Sequence, residues 1–138
     1  MIRIFFTGIC LLAALCVSAQ KAKVKQELFE GIWQVTMQST ANAPEKFSPP
    51  RTNDFKIYDG MGNFRHIIYV NNKYVELSKG IIEFTSDSTY TEKLEKHLAV
   101  PASVKEGKIV FRFLDTDTFL MKWWLNNLSG QEVYKRVK

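Results

Sequence analysis

Side chains able to do chemistry are few in this 138-residue chain, and their spacing limits what they can do. The only histidines are His66 and His97, and the only cysteines are Cys10 and Cys16. A zinc site needs three or four Cys, His, Asp or Glu ligands at close spacing, and no stretch supplies them. His66, in FRHIIYV, shares a strand face with Phe64 and Ile68 and reads as a core or rim histidine rather than a general base. His97 lies near Glu92, Glu95 and Lys96, the pattern of a solvated face or loop edge. No G-x-S-x-G elbow occurs, and the glycines are too scattered for a phosphate loop. Asp59-Gly60-Met61-Gly62-Asn63 lacks the spaced acidic ligands and final Glu of a calcium loop. Asp115 and Asp117 sit two apart, as hairpin turns favour. A hydrolase or isomerase would need His66 and Glu92 to converge in one pocket. The expectation is a non-enzyme with no metal and no cofactor.

Three charged residues on strands are candidate anchors for a ligand. Glu92 shares a face with Tyr90 and Leu94, while Arg112 and Lys122 take the opposite parity from their aromatic neighbours. An inward charge would orient a polar head, since small-molecule sites need only a few such groups. On the outer face the same residues would form cross-strand pairs.

The elements that must position these residues begin after a leader. Residues 1–19 place Arg3 before an apolar run, with Val17-Ser18-Ala19 giving small residues at the −3 and −1 positions, the pattern of a secretory signal peptide. An acylated Cys16 would want a small residue before it and finds Leu15. Export to the periplasm or exterior is therefore expected, with a cysteine-free mature chain. No later segment approaches the ~20 apolar residues of a membrane span, so no membrane insertion is expected. Losing Arg3 lowers the formal charge from +5 to +4, ordinary for solubility. Without a basic stripe among the aromatics, nucleic acid is not an expected partner.

Residues 20–27 form a basic, flexible lead-in, with a helical turn expected around 26–30. From residue 28 onward, period-2 apolar runs are punctuated by turn residues, the signature of an all-β sandwich or barrel. Strands are expected over 31–38, 52–59, 64–70, 73–77, 80–85, 88–98, 108–114, 118–125 and 131–137. Residues 39–51, with Pro44, Pro49 and Pro50, read as a long connection. Residues 91–99 are ambiguous: Glu92/Lys96 is a helical i,i+4 pair, but Thr89, Tyr90 and Thr91 favour a strand.

Gly31-Ile32-Trp33 opens the first strand after the helical turn, and Glu132-Val133-Tyr134-Lys135-Arg136-Val137 ends the chain with a late arginine. This pattern resembles the lipocalin-like (calycin) barrels, in which Gly-x-Trp opens strand one and a late Arg or Lys packs across the indole. More narrowly, Gly80-Ile81-Ile82-Glu83-Phe84, Ser88-Thr89-Tyr90-Thr91-Glu92 and the terminal Tyr-Lys-Arg-Val resemble a family of small exported bacterial lipocalin-like domains of unknown function. The resemblance spans residues 28–138. It implies an antiparallel up-and-down barrel of about eight strands. Gly31, Trp33 and Arg136 then form a structural barrel-end pair, the guanidinium adding about 0.5–2 kcal/mol over the indole.

An eight-stranded barrel is just wide enough to be filled by side chains or to hold one small ligand. Alternation from Trp33 puts Val35 and Met37 inward, with Phe55, Ile57, Phe64, Ile68, Phe84, Tyr90, Phe111, Phe113, Phe119, Met121 and Trp123. The leading expectation is a small hydrophobic molecule in a shallow apolar cup near residues 39–51. Its candidate binding residues are Met37, Phe47, Phe55, Phe64, Tyr90, Glu92, Phe111, Phe113 and Trp123. A cavity of roughly 300 Å³ or more would favour this. The alternative is a filled barrel serving as a protein-interaction module. Because Trp123 and Trp124 must face opposite ways, the Trp124 face is its candidate surface for a homodimer or protein partner.

Overall fold

The computed structural model describes residues 25–138. The expected signal peptide, residues 1–19, and residues 20–24 lie outside the described residues. Residues 25–29 form a short helix, α1, so the end of the basic lead-in is structured. Lys25 anchors it, donating to the Ser86 carbonyl at 2.9 Å and the Asp87 carboxylate at 2.6 Å.

Nine strands follow: β1 (Gly31–Thr40), β2 (Ala43–Ser48), β3 (Asn53–Tyr58), β4 (Asn63–Val70), β5 (Lys73–Phe84), β6 (Thr89–His97), β7 (Glu106–Asp115), β8 (Thr118–Leu125) and β9 (Leu128–Arg136). Each strand from β3 to β9 pairs antiparallel with the next, and β9 closes on β1, from Trp33↔Arg136 to Thr40↔Gly130. The protein is an all-β, closed, eight-stranded, up-and-down barrel with one short N-terminal helix. Closure satisfies the backbone donors and acceptors that an open sheet would leave at its edges.

The ninth strand corrects the expected long connection at 39–51. β1 runs through Thr40, turns, and pairs back along β2, which extends the edge of β1 beyond β3. Pro44 is tolerated because β2 is an edge strand whose one ladder partner is β1. The expected pieces 73–77 and 80–85 are likewise one strand, β5, bent where its register shifts against β4 and β6. Bulges of this kind interrupt side-chain alternation and hide a continuous strand. Residues 89–97 are strand, because barrel pairing uses the alternation of Tyr90 and Glu92 rather than the helical charge pair.

One end of the barrel is solid. Phe29 of α1 is fully buried, its ring 4.9 Å from Phe111 and 5.2 Å from both Tyr58 and Phe119. Trp33 is also fully buried and donates its indole N–H to the Phe29 carbonyl at 2.6 Å. Arg136 lies 4.1 Å from the indole centroid. Its guanidinium donates to the carbonyls of Leu28, at 3.0 Å, and of Glu30. It therefore caps the orphan carbonyls at the helix C-terminus as well as covering the ring. Gly31 sits at φ +127°, and a Cβ there would come within 2.9 Å of Arg136 Nη1. Glycine is needed at this position on both counts.

Candidate functional site

Above this aromatic floor the interior turns polar, for reasons of register. Residues paired across a ladder share a face. Trp33 pairs with Lys56, which pairs with His66, so the inward indole carries Lys56 and His66 inward with it. Asp54, Lys56 and Tyr58 are thus the inward set of β3. The expectation that Phe55 and Ile57 face inward is corrected: they pair with Gln34 and Ile32, on the other face. A lysine is sustainable there because β6 presents Glu92 to it.

Lys56 and Glu92 form an ion pair with side chains only 5% and 9% exposed. Lys56 Nζ also lies 3.9 Å from Met121 Sδ and 5.3 Å from the Phe64 ring centroid. Burial by itself would lower the Lys56 pKa, but the Glu92 charge and hydrogen bond overcome it and hold the pKa well above the ordinary value. Tyr58 and Tyr90 share a 2.9 Å hydroxyl–hydroxyl hydrogen bond, and the Tyr90 hydroxyl donates to Glu92 Oε1 at 3.4 Å. Burial pushes both phenols well above their usual pKa.

A second carboxylate enters from β9. Tyr134, stacked on Phe119 at 4.9 Å, donates its hydroxyl to Glu132 Oε2 at 2.5 Å. Burial first, and then the Glu132 charge, raise the Tyr134 pKa. His66 Nε2 lies 3.1 Å from Asp54 Oδ1. His97 Nδ1 accepts the Ala99 N–H at 2.9 Å. Burial, with His66 nearby, lowers the His97 pKa and keeps it neutral.

These groups surround a cavity of about 110 Å³ at the open end of the barrel. Lys56, Glu92 and Glu132 form its polar side, Ile109, Met121 and Trp123 its apolar side, and Ala99, Leu125 and Leu128 stand at its mouth. It is smaller and more charged than the expected cup, and no residue of 39–51 lines it, because aromatic rings fill most of the bore.

Of the candidate binding residues, Glu92 and Trp123 line the cavity. Phe64, Tyr90 and Phe111 are buried in the core below it, with Phe113 packed against them. Phe55 lies on the outer face and Phe47 on edge strand β2. Met37 is turned outward by a bulge between Val35 and Met37, which pairs it with Val133 on the face opposite Tyr134. Arg112 and Lys122 are exposed on the outer face, and Trp124 is 45% exposed there. The sequence reading missed Lys56 and Glu132 and placed His97 in solvent. One signal was available: an inward Glu92 demands a buried cation, and Lys56 shares its parity with Tyr58. Among the described residues, no three His, Cys, Asp or Glu converge to hold a metal.

A family model described as a domain of unknown function, DUF4488, matches residues 28–138, and the chain belongs to this family. No curated protein matches it.

Proposed function

We propose that this member of the DUF4488 family is an exported, non-catalytic binding protein that holds one small amphipathic molecule in the open-end cavity. The observation that carries the proposal is the cavity itself: among the described residues a largely filled barrel keeps a space at its open end, and polar and apolar residues converge on it from seven strands, β3 to β9. A cavity of about 110 Å³ suits roughly five or six heavy atoms, since one of ~150 Å³ takes benzene. A longer tail would run out past Leu125 and Leu128. Burial of apolar atoms against Ile109, Met121 and Trp123 would contribute roughly 25 cal/mol per Å². The non-catalytic reading is supported by protonation states: the Lys56 ammonium and the Tyr58 and Tyr90 phenols all hold their protons at neutral pH. Export rests on residues 1–19.

Native mass spectrometry of the full-length product purified from its own host tests this directly. The expected species is the polypeptide lacking residues 1–19 with one small non-covalent adduct. Gly107 lines the cavity, and a Cβ there would meet nothing closer than 3.4 Å. Gly107→Leu should therefore fill the space and abolish the adduct while the barrel still folds. Recovery of the bare chain alone, or an adduct retained in Gly107→Leu, overturns the assignment.

A second reading places a protein partner on the Trp124 face. It is supported by an outer groove of about 250 Å³ between Trp124, Pro44 and Gln131, beside edge strand β2. Loss of a co-purifying protein in Trp124→Ala, with none lost in Gly107→Leu, would favour it.

A further inference from the structure

We propose that the molecule taken into the open-end cavity carries a protonated amine, held between the Glu132 carboxylate and the Trp123 indole. This rests on the cavity being a binding site and names the chemistry of its occupant.

The charges facing the cavity are unbalanced. Lys56 is the sole lysine or arginine among its lining residues; it is in direct contact with Glu92 and also feels the Glu132 charge, so one cation stands against two carboxylates. Neither histidine restores the balance. His97 uses Nδ1 to accept the Ala99 N–H and stays neutral, and His66 has the Asp54 carboxylate against it at 3.1 Å. The lining residues taken together with Asp54 behind His66 therefore hold three carboxylates, Asp54, Glu92 and Glu132, against Lys56 and the two histidines, in a space walled by low-dielectric side chains. A cation entering there is favoured more strongly than it would be in water. An anion meets uncompensated repulsion.

Glu132 is also arranged to receive a donor. Oε2 accepts the Tyr134 hydroxyl, while Oε1 has no hydrogen-bond partner among the described residues. Trp123 lies on the same face, one ladder position away. Met121 pairs with Glu132, and Trp123 pairs with Gly130 two residues along β9. Gly130 lets the ring lie against the strand, since a Cβ there would meet Trp123 Cζ2 at 2.9 Å. A carboxylate and an indole lining one cavity from neighbouring strands suit an ammonium group, which can gain a charge-assisted hydrogen bond from the one and a cation–π contact from the other. The Lys56 ammonium does not compete for an acidic head group, because its side chain is 5% exposed and sits on Glu92.

The test uses the folded protein at pH 7 with three probes of equal carbon number: n-butylamine, n-butanol and butyrate. Calorimetry and the Trp123 indole 15N–1H shift report binding, the latter identified by loss of its signal in Trp123→Phe. Butylammonium is expected to bind about ten-fold or more tightly than butanol, with no saturation by butyrate. Glu132→Gln is expected to remove that preference, bringing butylammonium affinity down to that of butanol measured on the same variant. Butanol or butyrate binding as tightly as butylammonium to the unmodified protein overturns the amine assignment and leaves the cavity reading standing. No saturable shift with any probe overturns both.

Discussion

Lys56 and Glu92 meet inside the barrel with almost no contact with water, and their energetics follow from that isolation. Each charge loses several kcal/mol of hydration on burial, and their mutual attraction offsets the loss only while both are present. Glu92→Leu alone strands an ammonium among Tyr58, Tyr90 and Met121 and should cost about 3–5 kcal/mol in urea unfolding. The double change Lys56→Met with Glu92→Leu removes both charges at similar volume and should return close to the starting stability. If instead the double variant loses as much as the sum of the singles, the pair is not what holds this layer together. Lys56 was hard to read from the sequence for the same reason. A lysine in a strand is ordinarily assigned outward, and only the partner 36 residues away reverses the assignment.

At the scale of elements, α1 works as a stopper rather than as a lead-in. Its five described residues are too few to be stable as a helix in water. What holds it is Phe29 in the aromatic floor, Trp33 on its carbonyl, and Arg136 on two more. Phe29→Ala should lower stability by about 3–5 kcal/mol, the usual cost of emptying a site that neighbouring rings fill only in part. A loss under 1 kcal/mol by denaturant titration would mean that α1 is dispensable to the barrel. Gly31-Ile32-Trp33 and the late Arg136 were legible as a paired device through their resemblance to the lipocalin-like pattern, and they do pair, with the guanidinium 4.1 Å from the indole centroid. That the guanidinium also ties down the helix was not, because Leu28 and Glu30 offer backbone carbonyls, which leave no trace in residue types. Bulges set a second limit. Parity read from Trp33 held to Val35 and failed at Met37, because one extra residue turns every later side chain over.

The molecule as a whole has an interior that retains protons. Tyr58, Tyr90 and Tyr134 are raised above 10.0 by burial, and Lys56 is raised above 10.5 by its carboxylate partner. All four act with the same sign. Above about pH 10 the unfolded chain releases these protons and the folded barrel keeps them, so stability falls as pH rises. Each such group contributes a slope of up to about 1.4 kcal/mol per pH unit. Unfolding followed from pH 8 to 12 should therefore show a steep alkaline loss, with tyrosinate absorbance from these three residues appearing together with the unfolding transition. Tyrosinate formation by all five tyrosines while the fold persists would show that water reaches the core.

By itself the amino-acid order determined the class of the protein: alternation and turn residues specify short antiparallel strands, and these are local properties of the chain. It determined nearly every strand, and the aromatic supply that fills the bore. Tertiary structure alone decided which parity of β3 faces inward, that residues 43–48 pair as a strand, and that the remaining space is small and charged. Those outcomes depend on cross-barrel register and on charge partners far apart in sequence. No local pattern carries them, because a strand's two faces become different only when its neighbours are in place.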